Sequence, residues 1–309
     1  MNKSQFQLSP IKHGTTPKIL LLGNGINKAF EKDSWDELLK KIACKTFSAN
    51  EWELIKKAPY PLQTVMITND TVDTSIKNHI VDTMLNQSTE SGQADLINKL
   101  VSLPFDAILT TNYSYEIEKT MDENFYCKSK QRSKYRKVIS KGNKSENQFG
   151  LFKCMNIDNQ TIWHIHGEAG LPDSMVLGHY YYGKLLSCIQ HYVGRRMVYY
   201  KSCIKRKADI IPQSWIDYFM FSDVYIVGLG LDLSEIDLWW LINCKKRNHF
   251  LQGEIRYFEA NMNDEKNYAK KLLANAYGMK IYTEQVSNDG YINYLSKVVT
   301  DICNTIELD

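Results

Sequence analysis

Four stretches of this sequence end an apolar run with residues able to hold a ligand or move a proton. "ILLLGNGINKAF" (19–30) drives four apolar residues into Gly23, Asn24 and Gly25. Glycines let a chain turn sharply out of a strand and offer backbone N–H groups to a phosphate; the plainer account is an ordinary strand-to-helix turn. "FDAILTTN" (105–112) ends on Thr110, Thr111 and Asn112. A buried amide there must find a partner, either backbone or a sugar hydroxyl or water. "TIWHIHG" (161–167) supplies His164 and His166, two apart, so that on a strand both face one way and Trp163 and Ile165 the other. A lone histidine is ordinarily a satisfied core residue. One directly before glycine at a strand end is better placed to meet a ligand, and an imidazole with an unperturbed pKa of about 6.5 exchanges protons near neutrality. "GLGLDLSEID" (228–237) adds Gly228, Gly230, Leu231, Asp232, Glu235 and Asp237. The first turn of a helix favours carboxylates on electrostatic grounds alone, which is the default account of Glu235 and Asp237.

The elements that must position these residues follow from periodicity. Buried strands are predicted at 18–23, 105–112 and 223–230, each a short apolar run closed by glycine or polar residues. "FGLFKCMN" and "TIWHIHG" read as strands around the turn "IDNQ", and "EIRYFEA" and "MKIYTE" as later ones. Helices are predicted at 33–43, where Ser34 and Glu37 form a capping box, over 180–220, in "LSEIDLWWLINCKKR", at 263–277 and at 289–306. This alternation predicts an α/β fold, a Rossmann-like parallel sheet with helices on both faces. The interruptions at about 45–104 and 115–220 are too long for simple crossovers and predict mainly helical insertions within a single domain, 1–309. Open sheets of this kind bind ligands at the carboxyl ends of their strands, where all four motifs end.

Composition narrows the field. Of 309 residues, 43% are hydrophobic and 24% charged, with a formal net charge of +3, too small to argue for a nucleic-acid binder. The seven cysteines (44, 127, 154, 188, 203, 244 and 303) include no C-x-x-C pair, against a disulfide framework or a four-thiolate zinc site. The N-terminal stretch lacks the apolar region of a signal peptide, and no segment approaches the roughly 18 apolar residues of a membrane helix; a cytoplasmic protein without membrane contact is expected. "CKSKQRSKYRKVISKGNK" (127–144) holds eight Lys or Arg residues and no acid. Such runs track phosphates or, more ordinarily, form solvated loops, so nucleic acid is not expected as a direct partner. Trp239 and Trp240 sit on adjacent helix faces and are not expected to share one core, a weak sign of self-association. The third glycine of a G-x-G-x-x-G dinucleotide fingerprint is replaced by Lys28.

Taken in order, GNGIN, TTNYS, HIHG and GLGLDLSEID resemble the SIR2-like family, whose members carry G-A-G-x-S, T-x-N-x-D and H-G in that order on a Rossmann-like sheet. The likeness spans about residues 18–245. "SW-x-ELL" after the first motif and "GLGLDLSEIDLWW" look most like the bacterial anti-phage-defence branch, whose members consume NAD+ rather than deacylate proteins. The resemblance implies an NAD+ glycohydrolase, an effector of abortive infection, with Asn112 and His166 as catalytic residues and NAD+ as substrate. It places Gly23, Gly25 and Asn27 around the pyrophosphate, with Asn24, Ile26, Thr111 and Tyr113 beside the nucleotide. Gly228, Gly230 and Leu231 would line its adenosine end, with Glu235 available to a ribose hydroxyl. Departures are informative: Asn24 stands for Ala, Asn27 for Ser and Ser114 for Asp, and Thr111 stands where deacylases carry Gln. The four-cysteine zinc ribbon of deacylases is absent from the sequence, so no metal is implied. Control through a separate regulatory or sensor subunit, or through a homo-oligomer, is implied as well. A catalytically weak NAD- or ADP-ribose-binding subunit and a protein deacylase are the alternatives.

Overall fold

A computed structural model describes residues 7–30, 35–69, 77, 80–83, 91–122, 125, 135–137, 144–287 and 290–308. Its centre is a sheet whose strands, in chain order, are Lys18–Leu22 (β1), Ala107–Thr110 (β2), Tyr135–Lys137 (β3), Lys153–Ile157 (β4), Gln160–His164 (β5), Asp223–Val227 (β6), Ile255–Phe258 (β7) and Lys280–Tyr282 (β8). The spatial order is β3-β4-β5-β2-β1-β6-β7-β8. Every pairing from β5 across β2, β1, β6 and β7 to β8 is parallel, whereas β4 is antiparallel to both β3 and β5.

The unbroken apolar runs exist because both faces of the sheet are covered. Side chains alternate in period two. Ile19, Leu21, Ala107, Leu109, Trp163, Val224 and Ile226 enter one core. Leu20, Leu22, Ile108, Ile162, Tyr225 and Val227 enter the other. The fold class read from periodicity is thus the observed one.

The expected "IDNQ" turn is a two-residue hairpin loop, with Asp158 and Asn159 both at positive φ (49° and 66°). That is the backbone a tight hairpin requires, and short polar side chains tolerate it. β4 and β5 therefore belong to the sheet, although they fall inside the 115–220 interruption.

The helical stretch predicted at 180–220 is two helices, Gly178–Lys205 and Trp215–Phe221. Ser214 caps the second, reciprocated by Asp217. Asp217, wholly buried, ties the two together: it accepts from Tyr192, from Tyr200 at 2.6 Å and from Arg196 Nε at 2.9 Å.

From the first interruption, the helix Tyr60–Thr68 packs against Gly178–Lys205, and Ser91–Val101 packs against both Glu116–Met121 and the C-terminal helix Tyr291–Leu308. Trp239 and Trp240 both pack on the same core, correcting the expectation that they could not: Trp239 is buried, its Nε1 donating to the Asp232 carbonyl, and Trp240 is half-buried beside it. Ser34 and most of the basic 127–144 stretch lie outside the described residues. No helix among the described residues is long and apolar enough to cross a membrane.

Candidate active site

The ladder registers gather the four motifs at one edge. Leu22 pairs with Thr110 and with Val227, and Thr110 pairs with His164. Asn112 and His166 each lie two residues beyond the Thr110–His164 pair, so they leave neighbouring parallel strands side by side in sequence register.

The glycine turn is built for chain packing. Gly23 N–H donates to Val227 O at 3.0 Å and Gly25 N–H to Gly228 O at 2.6 Å. A Cβ on Gly23 would lie 2.4 Å from Leu229 Cα, and one on Gly25 would lie 2.7 Å from Gly228 O. These residues are glycine because the exit of β1 rests directly on the exit of β6. Their two N–H groups go to protein carbonyls, which corrects the expectation that they present themselves to a phosphate.

Asn27, only 2% exposed, is likewise a link in the framework: its Nδ2 donates to Asn24 Oδ1 at 2.8 Å, and its Oδ1 accepts from Gln93 Nε2 at 2.6 Å. The side chains of Ile26 and Leu231 are core residues, so a ligand would meet only their main chain. Leu231 adopts positive φ (44°), as does Gly228 (61°), bending the chain at the end of β6. At Gly230 there is open space where a side chain would stand, and its carbonyl accepts from Lys270 Nζ at 2.7 Å and from Tyr257 Oη at 3.1 Å.

The two histidines diverge, which corrects the expectation of a shared facing. β5 ends at His164, and the chain then turns through Gly167 at φ 94°. His164 Nδ1 lies 2.6 Å from the Asn112 carbonyl oxygen and Nε2 lies 2.8 Å from Glu118 Oε1. Both partners are pure acceptors, so both ring nitrogens carry hydrogen and the ring is an imidazolium. Burial opposes that charge, but the Glu118 carboxylate, Glu168 and the Asn112 carbonyl together push the pKa up to about 9.

Asn112 is 6% exposed. Its N–H donates to Thr110 Oγ1 at 3.0 Å and its Nδ2 to Gly23 O at 3.3 Å, while its Oδ1 is buried without a partner. Thr111 is half-buried, with its N–H on Leu22 O at 3.3 Å. Ser114 Oγ donates to Glu116 Oε2 at 2.7 Å, a local bond at the start of a helix.

His166, 3% exposed, points instead to the helix that follows β6: its Nε2 lies 2.9 Å from Asp237 Oδ2. Burial opposes protonation, yet Asp237 and then Glu235 raise its pKa above the usual imidazole value. Asp237 is wholly buried, and its Oδ1 has no partner. Glu235 Oε2 is also buried without one. Burial, together with Asp237 and Asp232 and against the pull of His166, pushes the Glu235 carboxyl up to about 7. Tyr182 sets its ring edge-to-face on His166 with centroids 5.5 Å apart, and Tyr113 Oη donates to Val176 O at 2.9 Å. Asp232 accepts from Ser234 N and Oγ, a local turn leading into the helix.

The edge therefore carries three buried acceptor oxygens without partners, on Asn112, Glu235 and Asp237, the last two beside the His166 imidazole. Such groups are costly unless something donates to them. Hydroxyl donors are the complement they lack. A small recess opens on the His164 side, lined by Lys153, His164, Gly167 and Glu168 among others; Asn112, His166, Glu235 and Asp237 do not line it. Among the described residues no group of three or more His, Cys, Asp or Glu side chains is arranged to hold a metal ion.

Sequence reasoning missed Gln93 and Glu118, which lie in otherwise unremarkable helical stretches, and it assigned Asp237 to helix electrostatics. Nothing local marks the first two. The dyad formed by Asp237 had a signal, an acid at a helix start facing a histidine motif, that only strand order makes visible. No family model matches this chain, and a search of curated proteins likewise gave no match.

Proposed function

We propose that this chain is a SIR2-like NAD+ glycohydrolase that depletes NAD+ as an effector of anti-phage defence by abortive infection. The observation that carries the reading is the side-by-side exit of Asn112 and His166 from paired strands, with Asn112 Oδ1 buried and unpartnered. The family assignment rests on the four motifs in order.

Nicotinamide leaves its ribose as a neutral molecule, so its departure needs no general acid. What the enzyme must supply is orientation of the ribose, stabilisation of an oxocarbenium-like transition state and a positioned water. Asn112 Oδ1 accepts from the water or from a ribose hydroxyl. Glu235 Oε2 accepts a further hydroxyl. The imidazole of His166 takes the proton that the attacking water loses. The products are nicotinamide, ADP-ribose and one proton.

Incubation with NAD+ after co-expression with genomic neighbours tests this. Nicotinamide and ADP-ribose accumulate with the wild-type chain and not with Asn112→Ala. An activated assembly that leaves NAD+ intact refutes the reading.

Asn112 and His166 are almost fully covered, so on this reading the edge must open before NAD+ reaches them; control by a partner subunit or self-assembly is what the resemblance implies. The same cover favours one second reading, a nucleotide-binding subunit without turnover. Calorimetric NAD+ binding with no nicotinamide release, partners included, would select it.

A further inference from the structure

Resting on that reading, we infer that Asp237 is a positioning residue for His166, fixing the ring so that Nε2 carries its hydrogen and Nδ1 receives the proton of the attacking water. The carboxylate is an acceptor only, so the nitrogen 2.9 Å from it is the protonated one, and in a neutral ring the other nitrogen is the base. The ordinary account of Asp237, an acid favoured in the first turn of the helix Ile236–Arg247, explains a negative charge there. It does not explain why that charge is wholly buried, why it is aimed at a histidine from another strand, or why Oδ1 is left without a partner.

Among the described residues, three side chains act directly on the His166 ring. Asp237 and Glu235 come from the chain after β6, and the Tyr182 ring comes from the helix Gly178–Lys205. Tyr113, from the loop after β2, lies within the field of the same two carboxylates.

The step balances as follows. The water oxygen bonds to the anomeric carbon, and the carbon–nitrogen bond breaks with its electron pair leaving on nicotinamide. The water proton passes to Nδ1, and the imidazolium so formed is held by the Asp237 carboxylate until it releases that proton to solvent. A carboxylate–imidazole pair performs this service wherever a histidine must be oriented and its charged form stabilised.

The test uses the full chain in its active assembly. Steady-state nicotinamide release is measured for wild type, Asp237→Asn and Asp237→Glu across pH 5.5–9. Imidazole ¹H–¹⁵N spectra of the same proteins are recorded without NAD+, with His166 identified by its loss in His166→Gln. Asp237→Asn is expected to lower kcat on the order of 10²-fold, the usual scale of one positioned base, with KM nearly unchanged. Its acid limb should shift to lower pH, and the Nε2-protonated signature should be lost. Asp237→Glu should recover part of the rate.

An unchanged or raised kcat in Asp237→Asn overturns the inference, the latter by making Asp237 a lock on the resting ring. So does an unaltered tautomer. A wild-type chain that releases no nicotinamide sinks the glycohydrolase reading alone, because the spectra still decide whether Asp237 sets the ring.

Discussion

His164 grips Asn112 by its main chain: the ring Nδ1 lies 2.6 Å from the Asn112 carbonyl oxygen, while Nε2 is anchored on Glu118 at 2.8 Å. A buried imidazolium thus clamps the Asn112 peptide, while the Asn112 side chain turns to Gly23 O through Nδ2 and leaves Oδ1 unpartnered. The histidine that looked like a companion of His166 is the brace for the residue opposite it.

This brace makes stability pH-dependent with a definite sign. The His164 pKa is raised to about 9 in the folded chain from about 6.5 unfolded. Its contribution is complete below the unfolded value and disappears as pH rises through the folded one, amounting to about 3 kcal/mol. Denaturant unfolding of wild type and His164→Gln at pH 6 and pH 9.5 measures it. The difference between the two proteins should shrink at the higher pH. Comparing them cancels Lys245, whose pKa burial lowers to about 7 and whose effect runs the other way. A constant difference contradicts the imidazolium assignment.

Two alanine substitutions separate chain packing from ligand approach at the glycine turns. Gly23→Ala drives a methyl to 2.4 Å from Leu229 Cα and should cost about 1–3 kcal/mol or more. Gly230→Ala meets open space and should leave stability within about 0.5 kcal/mol of wild type. Thermal melts of both report the contrast. Equal melting temperatures would show that the β1 and β6 exits are not packed as described.

Gln93 should prove to be part of the same framework. Removing its amide in Gln93→Ala leaves the buried Asn27 Oδ1 without its donor at 2.6 Å, a loss of about 1–3 kcal/mol. Asn27→Ala and the double variant complete a cycle, and the two losses should be far from additive because the residues share one bond. Additive losses would mean that the bond contributes nothing.

Asn112→Ala and His166→Gln should each abolish nicotinamide release while circular dichroism and melting remain close to wild type. Glutamine is chosen at 166 because its amide can still donate to Asp237, sparing the fold a buried unpaired carboxylate. Wild-type turnover in either folded variant would place the chemistry elsewhere.

Local pattern was sufficient for the sheet and its edge. "KILLL", "AILT" and "DVYIV" are too uniformly apolar to be anything but strands covered on both faces, and the polar residues that stop them must lie at strand ends. The candidate amide and imidazole were legible for the same reason. Tertiary structure alone decided what each polar group does there. Strand order set β5 beside β2 and β1 beside β6, which sent His164 to Asn112 and Glu118 but His166 to Asp237, although the two histidines are only two residues apart. It also turned Gly23 and Gly25 from presumed phosphate donors into contacts between two strand exits. Periodicity is a property of neighbours along the chain. Hydrogen-bond partners 46, 52 and 71 residues distant are chosen by register and packing, which no local pattern encodes.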